Sequence, residues 1–267
     1  NYAGAIYGYY KNNLTINNSN FINCSSKIWG GAISVEYGNL TINNSNFIND
    51  SSSEDIGGAI YTLKSNLTVI NSNFTDCNAT IGGAIAQLDG NLIINDSNFN
   101  NNTATYYGGA IYNIYSTLNI YQSIFQYNNA TDGGALYVDN STNLKITSSK
   151  FMNNNATDGG ALFSYENNQF IESGNTYSGN IAVNGSDIYI MPYSIISLLN
   201  NVSQVIISNN TLFNGTIPAS YDLRDYNLVT SVKDQLNGGS CWAFAACAAL
   251  ESCILKAVNV TYDLSEE

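Results

Sequence analysis

A Gly-Gly-Ala-Ile/Leu element returns along this chain with its second glycine at Gly4 (where Ala3 stands for the first), Gly31, Gly58, Gly83, Gly109, Gly134 and Gly160. The successive intervals are 27, 27, 25, 26, 25 and 26 residues. A degenerate eighth copy, Gly185-Ser186-Asp187-Ile188-Tyr189, places Ser186 a further 26 on. Two more phases are locked to this one. Nine or ten residues after the glycine stands a Leu-x-Ile/Val segment beginning at Leu14, Leu40, Leu67, Leu92, Leu118 and Leu144. Seven residues later comes an aromatic: Phe21, Phe47, Phe74, Phe99, Phe125, Phe151 and then Tyr177. A serine precedes each of the first six by two places. Each unit thus holds three short alternating segments separated by Gly, Asn, Asp and Ser, which is strand chemistry punctuated by turn chemistry.

A unit of this size cannot bury its own Leu, Ile and Phe, so the units must stack. At ~3.3 Å per strand residue, 26 residues make one coil of a three-sided solenoid, with equal phases ~4.8 Å apart along the axis. The aromatics then form one internal ladder and the Leu/Ile pairs another. The reading is a right-handed parallel β-helix of about eight coils over residues 1–213. A disordered, prion-like tract is rejected because three apolar ladders keep fixed phase. A leucine-rich repeat is rejected because the Leu and Asn spacing within a unit does not match.

The composition fits the solenoid. Of the 267 residues, 44 are Asn, which tolerates the left-handed backbone of tight corners and hydrogen-bonds to equivalents above and below. Eight basic against twenty acidic residues give a formal charge of −12, so the basic footprint that phosphate backbones demand is missing and no nucleic acid partner is expected. There is no histidine, which removes the commonest general base and metal ligand. No metal or cofactor is implied. The longest apolar run, Cys241 to Leu250, is about ten residues against the ~18 of a membrane span. The chain opens on Asn1 without a signal-like segment and reads as a fragment, any secretion signal or further coils lying upstream.

Register constrains the cysteines. Cys24 and Cys77 each follow a ladder aromatic by three residues, with Asp50 in the same phase one coil between them, so they lie ~9 to 10 Å apart and are expected as free thiols. Among acidic residues, Asp132 and Asp158 stack one coil apart, the carboxylate pair a polysaccharide hydrolase would need. Shared ancestry of two neighbouring coils explains them without catalysis. Glu36, Asp89, Asp139 and Glu166 form a second acidic phase near a turn, where charge supports solubility. About twenty Asn-x-Ser/Thr sequons, beginning at Asn13, Asn17 and Asn23, follow mainly from asparagine abundance. The long Thr/Ser/Asn/Tyr faces suit contact with cell-surface carbohydrate or protein. Repeats of this kind resemble the pectin-lyase-like coils of bacterial and archaeal adhesin-like surface proteins, which implies an extracellular or cell-surface location.

Near Ile217 the period disappears, with residues 214–220 read as a linker. From there the motifs are Tyr221-Asp-Leu-Arg224, Val229-Thr-Ser-Val-Lys-Asp-Gln235, Gly239-Ser-Cys-Trp-Ala-Phe244 and Leu264-Ser-Glu266. Four motifs in this order resemble the N-terminal part of a papain-like cysteine peptidase domain, an α+β fold, truncated here to residues 221–267. Gly239-Ser240 permits a tight turn into a helix whose first turn holds Cys241, where the dipole favours thiolate. The resemblance implies Cys241 as nucleophile, Gln235 as an oxyanion-hole donor with the Cys241 backbone N–H, and a polypeptide substrate. Gly238 stands where the family usually has a disulfide cysteine. Cys247 and Cys253 read as core thiols. The family's general-base histidine and its orienting asparagine lie further downstream than Glu267, so these 267 residues are expected to be inactive alone. Residues 242–257, apolar on nearly every face, are expected to be poorly ordered or to pack onto the solenoid. The rival reading is a non-enzymatic surface adhesin with a vestigial peptidase segment.

Overall fold

The structure, a computed structural model, describes residues 2–167 and 169–191 and, as backbone strands, Ile195–Leu199, Val205–Ile207 and Thr211–Phe213. It is a parallel β-solenoid of about seven turns, and no helix occurs among the described residues. Each coil bends where the sequence supplies residues that accept a left-handed backbone. In the second coil the strands are Ile33–Glu36, Asn39–Asn43, Asn46–Ile48 and Ser51–Ser52. The corners are Tyr37 (φ 57°), Asn44 (φ 50°), Asn49 (φ 54°) and Gly57 (φ 72°). The later coils repeat this scheme, with Lys64, Asn71, Asp76 and Gly82 as the next four corners.

Three sheets run along the solenoid, with 15, 7 and 4 strands. The sides differ from the three patterned segments in one respect. The glycine-led segment and the Leu-x-Ile segment lie in the same sheet, and in the central coils they fuse into single strands, Ile60–Ile70, Ile85–Asn95 and Ile111–Tyr121. The third side is a fourth segment, Ser25–Ser26, Ser51–Ser52, Asn78–Ile81 and Thr103–Tyr107, which carries no apolar alternation to announce it. Register follows the repeat phase throughout, as in Ile33↔Ile60↔Ile85↔Ile111↔Leu136↔Leu162↔Ile188. Parallel stacking ends at Val205–Ile207. Thr211–Phe213 pairs antiparallel with it, so the last strand expected within the β-helix turns back.

The core is the superposition of these phases. Phe21, Phe47, Phe74, Phe99, Phe125, Phe151 and Tyr177 stack with ring centroids 4.6 to 5.2 Å apart and planes within 10°. Leu40, Leu67, Leu92, Leu118 and Leu144 form a second buried column. The serine two places before each Phe is an internal rung: the Ser45 hydroxyl accepts from the Ser19 N–H at 3.1 Å and donates to the Asn43 carbonyl at 2.9 Å. Ser72, Ser97, Ser123 and Ser149 repeat the motif. It satisfies a corner N–H that a parallel ladder leaves over.

Asparagines do the same work in rows. Outside, the Asn39 side-chain N–H₂ donates to Asn13, Asn66 to Asn39 and Asn91 to Asn66, at 2.7 to 2.8 Å. Inside, three residues after Phe99, Phe125, Phe151 and Tyr177, Asn102, Asn128, Asn154 and Asn180 form a buried row. Asn128 donates to the Phe99 carbonyl at 3.1 Å and to Asn154 Oδ1 at 2.9 Å, and its Oδ1 accepts from the Asn102 backbone N–H at 3.0 Å. Asn128→Ala strands these partners in a dry core and is expected to cost about 3 kcal/mol, read as a drop in the urea midpoint.

The chain divides into two units, Asn1–Thr216 and Ile217–Glu267, a boundary inside the segment read as a linker. The helix expected over 242–257 lies outside the described residues.

Candidate functional site

On the outward side of the largest sheet, the residue after the first-strand Ile or Leu forms a lengthwise column in which Tyr7 is exposed, Tyr112, Tyr137 and Tyr189 are half-buried, and Ser34, Tyr61, Ala86 and Phe163 are covered by their neighbours. Corner residues lean onto it. Trp29 stacks between Tyr2 (4.7 Å) and Tyr61 (5.2 Å), and Tyr107 meets Tyr137 at 4.7 Å. Tyr112, Tyr137 and Phe163 continue the stack at 5.4 and 5.0 Å. This aromatic stripe was readable in the sequence as an outward phase, three residues after the second glycine, but the buried phases drew the reading instead.

Carboxylates border the stripe. Glu36, almost fully buried, accepts a 2.8 Å hydrogen bond from the Tyr7 hydroxyl. The second acidic phase in fact splits into two adjacent columns. Glu36 and Asp139 lie at strand ends within the ladder, while Asp89 (φ 54°) and Glu166 (φ 46°) occupy the left-handed corner one residue further on. The repeat interval varies by a residue or two, which merged them in the sequence. Burial, then the nearby Asp139 carboxyl, pushes the Tyr112 hydroxyl up to about 12, so it stays a neutral donor at physiological pH. Burial holds Tyr137 above the usual tyrosine range, with Asp139 adding to it.

Asp132 and Asp158 stand on adjacent rungs, bridged directly, with Asn184 donating to Asp158 Oδ1 at 2.7 Å. The Asp132 carboxyl is raised, first by burial and then by Asp158. Both aspartates are half-buried, and Asp132 is paired with Tyr107 and lies close enough to Tyr137 to raise its hydroxyl further. Among the described residues no group of three or more Cys, Asp or Glu is placed to hold a metal ion. No helix among them is long and apolar enough to cross a membrane.

Cys24 and Cys77 are free thiols, as their register requires. Burial is the main cause that lifts both above the ordinary cysteine value, Cys77 far above it, so neither presents a thiolate at neutral pH. Cys241 and Gln235, the residues to which the sequence assigns catalysis, lie outside the described residues.

Residues 217–267 match the model of the papain family cysteine proteases. The chain is 52% identical over 50 residues to the viral cathepsin of Mamestra configurata nucleopolyhedrovirus, covering 19% of this chain and 15% of that protein. It is 46% identical over 52 residues to cathepsin L of Sarcophaga peregrina, covering 20% of this chain and 15% of that one. Against stem bromelain of Ananas comosus the figures are 49% over 51 residues, 19% and 24%. The chain therefore spans less than a quarter of the length of these relatives. No solved structure matches the chain.

Proposed function

We propose that this chain is part of a cysteine endopeptidase in which a β-helix carries a papain-like catalytic domain, with Cys241 as nucleophile and Gln235 as oxyanion donor. The observation that carries the reading is the papain-family match over residues 217–267, which holds Cys241 and Gln235 six residues apart beside Trp242-Ala-Phe244. In this reading the Cys241 thiolate attacks the scissile carbonyl of a polypeptide, and the Gln235 amide with the Cys241 N–H holds the oxyanion. A histidine must then protonate the leaving amine, and these 267 residues contain none. The chain alone is accordingly inactive, and activity belongs to a parent protein that adds the histidine and its asparagine. A cell-surface or extracellular setting accords with the Asn- and Tyr-rich outer faces.

The test uses the full-length parent. A thiol-directed irreversible inhibitor labels it once, at Cys241, and stops peptide hydrolysis, while Cys241→Ala loses both labelling and at least a thousandfold of the rate. Equal hydrolysis by Cys241→Ala sinks the mechanism. The aromatic stripe with its bordering carboxylates favours a second reading, a surface adhesin that contacts carbohydrate or protein through the solenoid. A parent gene without a downstream His and Asn leaves only that one.

A further inference from the structure

The inner row that follows the Phe ladder has one irregular member. Its rungs are Cys24, Asp50, Cys77, Asn102, Asn128, Asn154 and Asn180, one per coil. From Cys77 onward, every rung donates to the carbonyl of the Phe in the preceding coil: Cys77 Sγ to Phe47 at 3.8 Å, Asn102 to Phe74, Asn128 to Phe99, Asn154 to Phe125 and Asn180 to Phe151, the four amides at 3.0 to 3.1 Å. The other side-chain atom of each amide accepts a backbone N–H from the rung before it, and Asp50 Oδ1 does the same for the Cys24 N–H at 2.7 Å. Asp50 Oδ2 therefore occupies the donor place, with the Phe21 carbonyl as its counterpart. Asp50 is 0% exposed, and Oδ2 has no hydrogen-bond partner among the described residues. An ionised carboxylate there would set a lone pair against a carbonyl oxygen in a dry core.

We propose that Asp50, when protonated in the folded chain, donates from Oδ2 to the Phe21 carbonyl as the neighbouring asparagines do, and so makes the first coils a proton-dependent lock. The titratable groups that face it are Cys24 in the coil before and Cys77 in the coil after. Both thiols are held above their ordinary value, so neither supplies a positive charge, and only the Cys24 N–H and thiol, as hydrogen-bond donors, favour the ionised form of Asp50. Burial, the largest cause, lifts the Asp50 carboxyl to about 6 against the downward pull of the Cys24 N–H and thiol. A carboxyl raised on folding binds its proton more tightly in the folded than in the unfolded chain. Its contribution is therefore complete below the ordinary aspartate range, falls as pH rises through about 6, and is gone above that. The first coils hold in acid and loosen toward neutrality, opposite to the usual behaviour of a paired carboxylate.

The test is urea unfolding of the 267-residue chain and its Asp50→Asn variant at closely spaced pH values from 4 to 8, with a carbon-13 carboxyl titration of Asp50 in the unmutated protein. Asparagine supplies the missing donor at every pH. The ratio of the two folding constants is expected to shift in favour of Asp50→Asn by roughly sixtyfold from the acid to the neutral end, with Asp50 titrating near 6. A ratio that stays constant over this range, or an Asp50 carboxyl that titrates in the ordinary aspartate range, overturns the proposal. If Asp50→Asn does not fold, the carboxyl titration alone decides.

Discussion

Gly109→Ala is expected to open the solenoid between two coils rather than merely loosen it. A Cβ at Gly109 would fall on the carbonyl oxygen of Gly134 in the next coil, and within 2.6 Å of the Asn129 backbone nitrogen. None of these atoms belongs to a flexible side chain, so nothing can swing aside. The coils can only separate, which breaks the bonds from Gly109 N–H to the Gly133 carbonyl (3.1 Å) and from Ala110 N–H to the Ala135 carbonyl (3.0 Å). The cost is about 3 kcal/mol or more, beyond ordinary overpacking. Because each coil contacts only its neighbours, hydrogen exchange should speed up most at Gly109 to Ile111 and fade within a coil or two on either side. Uniform loss of protection along the chain would contradict this, and so would an unchanged urea midpoint.

Phe99→Ala is expected to cost about 3–5 kcal/mol, the range for removing a fully buried aromatic. The ring is 0% exposed and lies between Phe74 at 4.8 Å and Phe125 at 4.7 Å, with planes within 4°. Its loss leaves a hole that neither neighbour can fill, because each is pinned by its own stack and by the inner amide row on its carbonyl. Phe99→Leu, which keeps most of the apolar volume, should recover well over half of the loss in the urea midpoint. A leucine variant as damaged as the alanine one would show that ring stacking, not burial, carries the energy.

What the sequence made legible is what stacking repeats verbatim. The Phe ladder, the Leu/Ile columns, the register of Cys24, Asp50 and Cys77, and the asparagine rows each follow from one phase read across several coils. Corners were harder. Tyr10, Lys64, Tyr115, Gln122 and Tyr127 all take a positive φ, although none is a favoured turn residue. Each adjoins or lies within a strand paired in register with the neighbouring coils, so tertiary context overrides local preference. The fourth segment carries no such signature: apart from Ile81, Tyr106 and Tyr107 at strand ends, its positions are Ser, Thr, Asn and Ala, without apolar alternation. For the candidate site, the contrast is chemical. Cys241 and Gln235 could be named because catalysis needs particular residue types at particular spacing, whereas the aromatic stripe acquires meaning only when eight coils bring single residues into one line.

The asparagine rows also give the molecule an electrical direction that its backbone lacks. Strand N–H groups in this solenoid point both ways along the axis, as with Asn39 N–H reaching back to Asn12 and Asn44 N–H reaching forward to Ile70, so their dipoles largely cancel. The outer amides do not alternate. Asn39, Asn46 and Asn49 each donate backward to Asn13, Asn20 and Asn23, and Asn155 to Asn129. The inner amides donate both ways, Asn102 and Asn128 forward to Asn128 and Asn154 and backward to the Phe74 and Phe99 carbonyls. The direction thus belongs to the rind, where each row reinforces itself bond by bond. The two faces of any coil are consequently unlike: the outer rim looks toward the first coil with hydrogens and toward the last with oxygens. Two such solenoids brought together by the same end would meet hydrogen to hydrogen or oxygen to oxygen, so the rims match only in head-to-tail sequence.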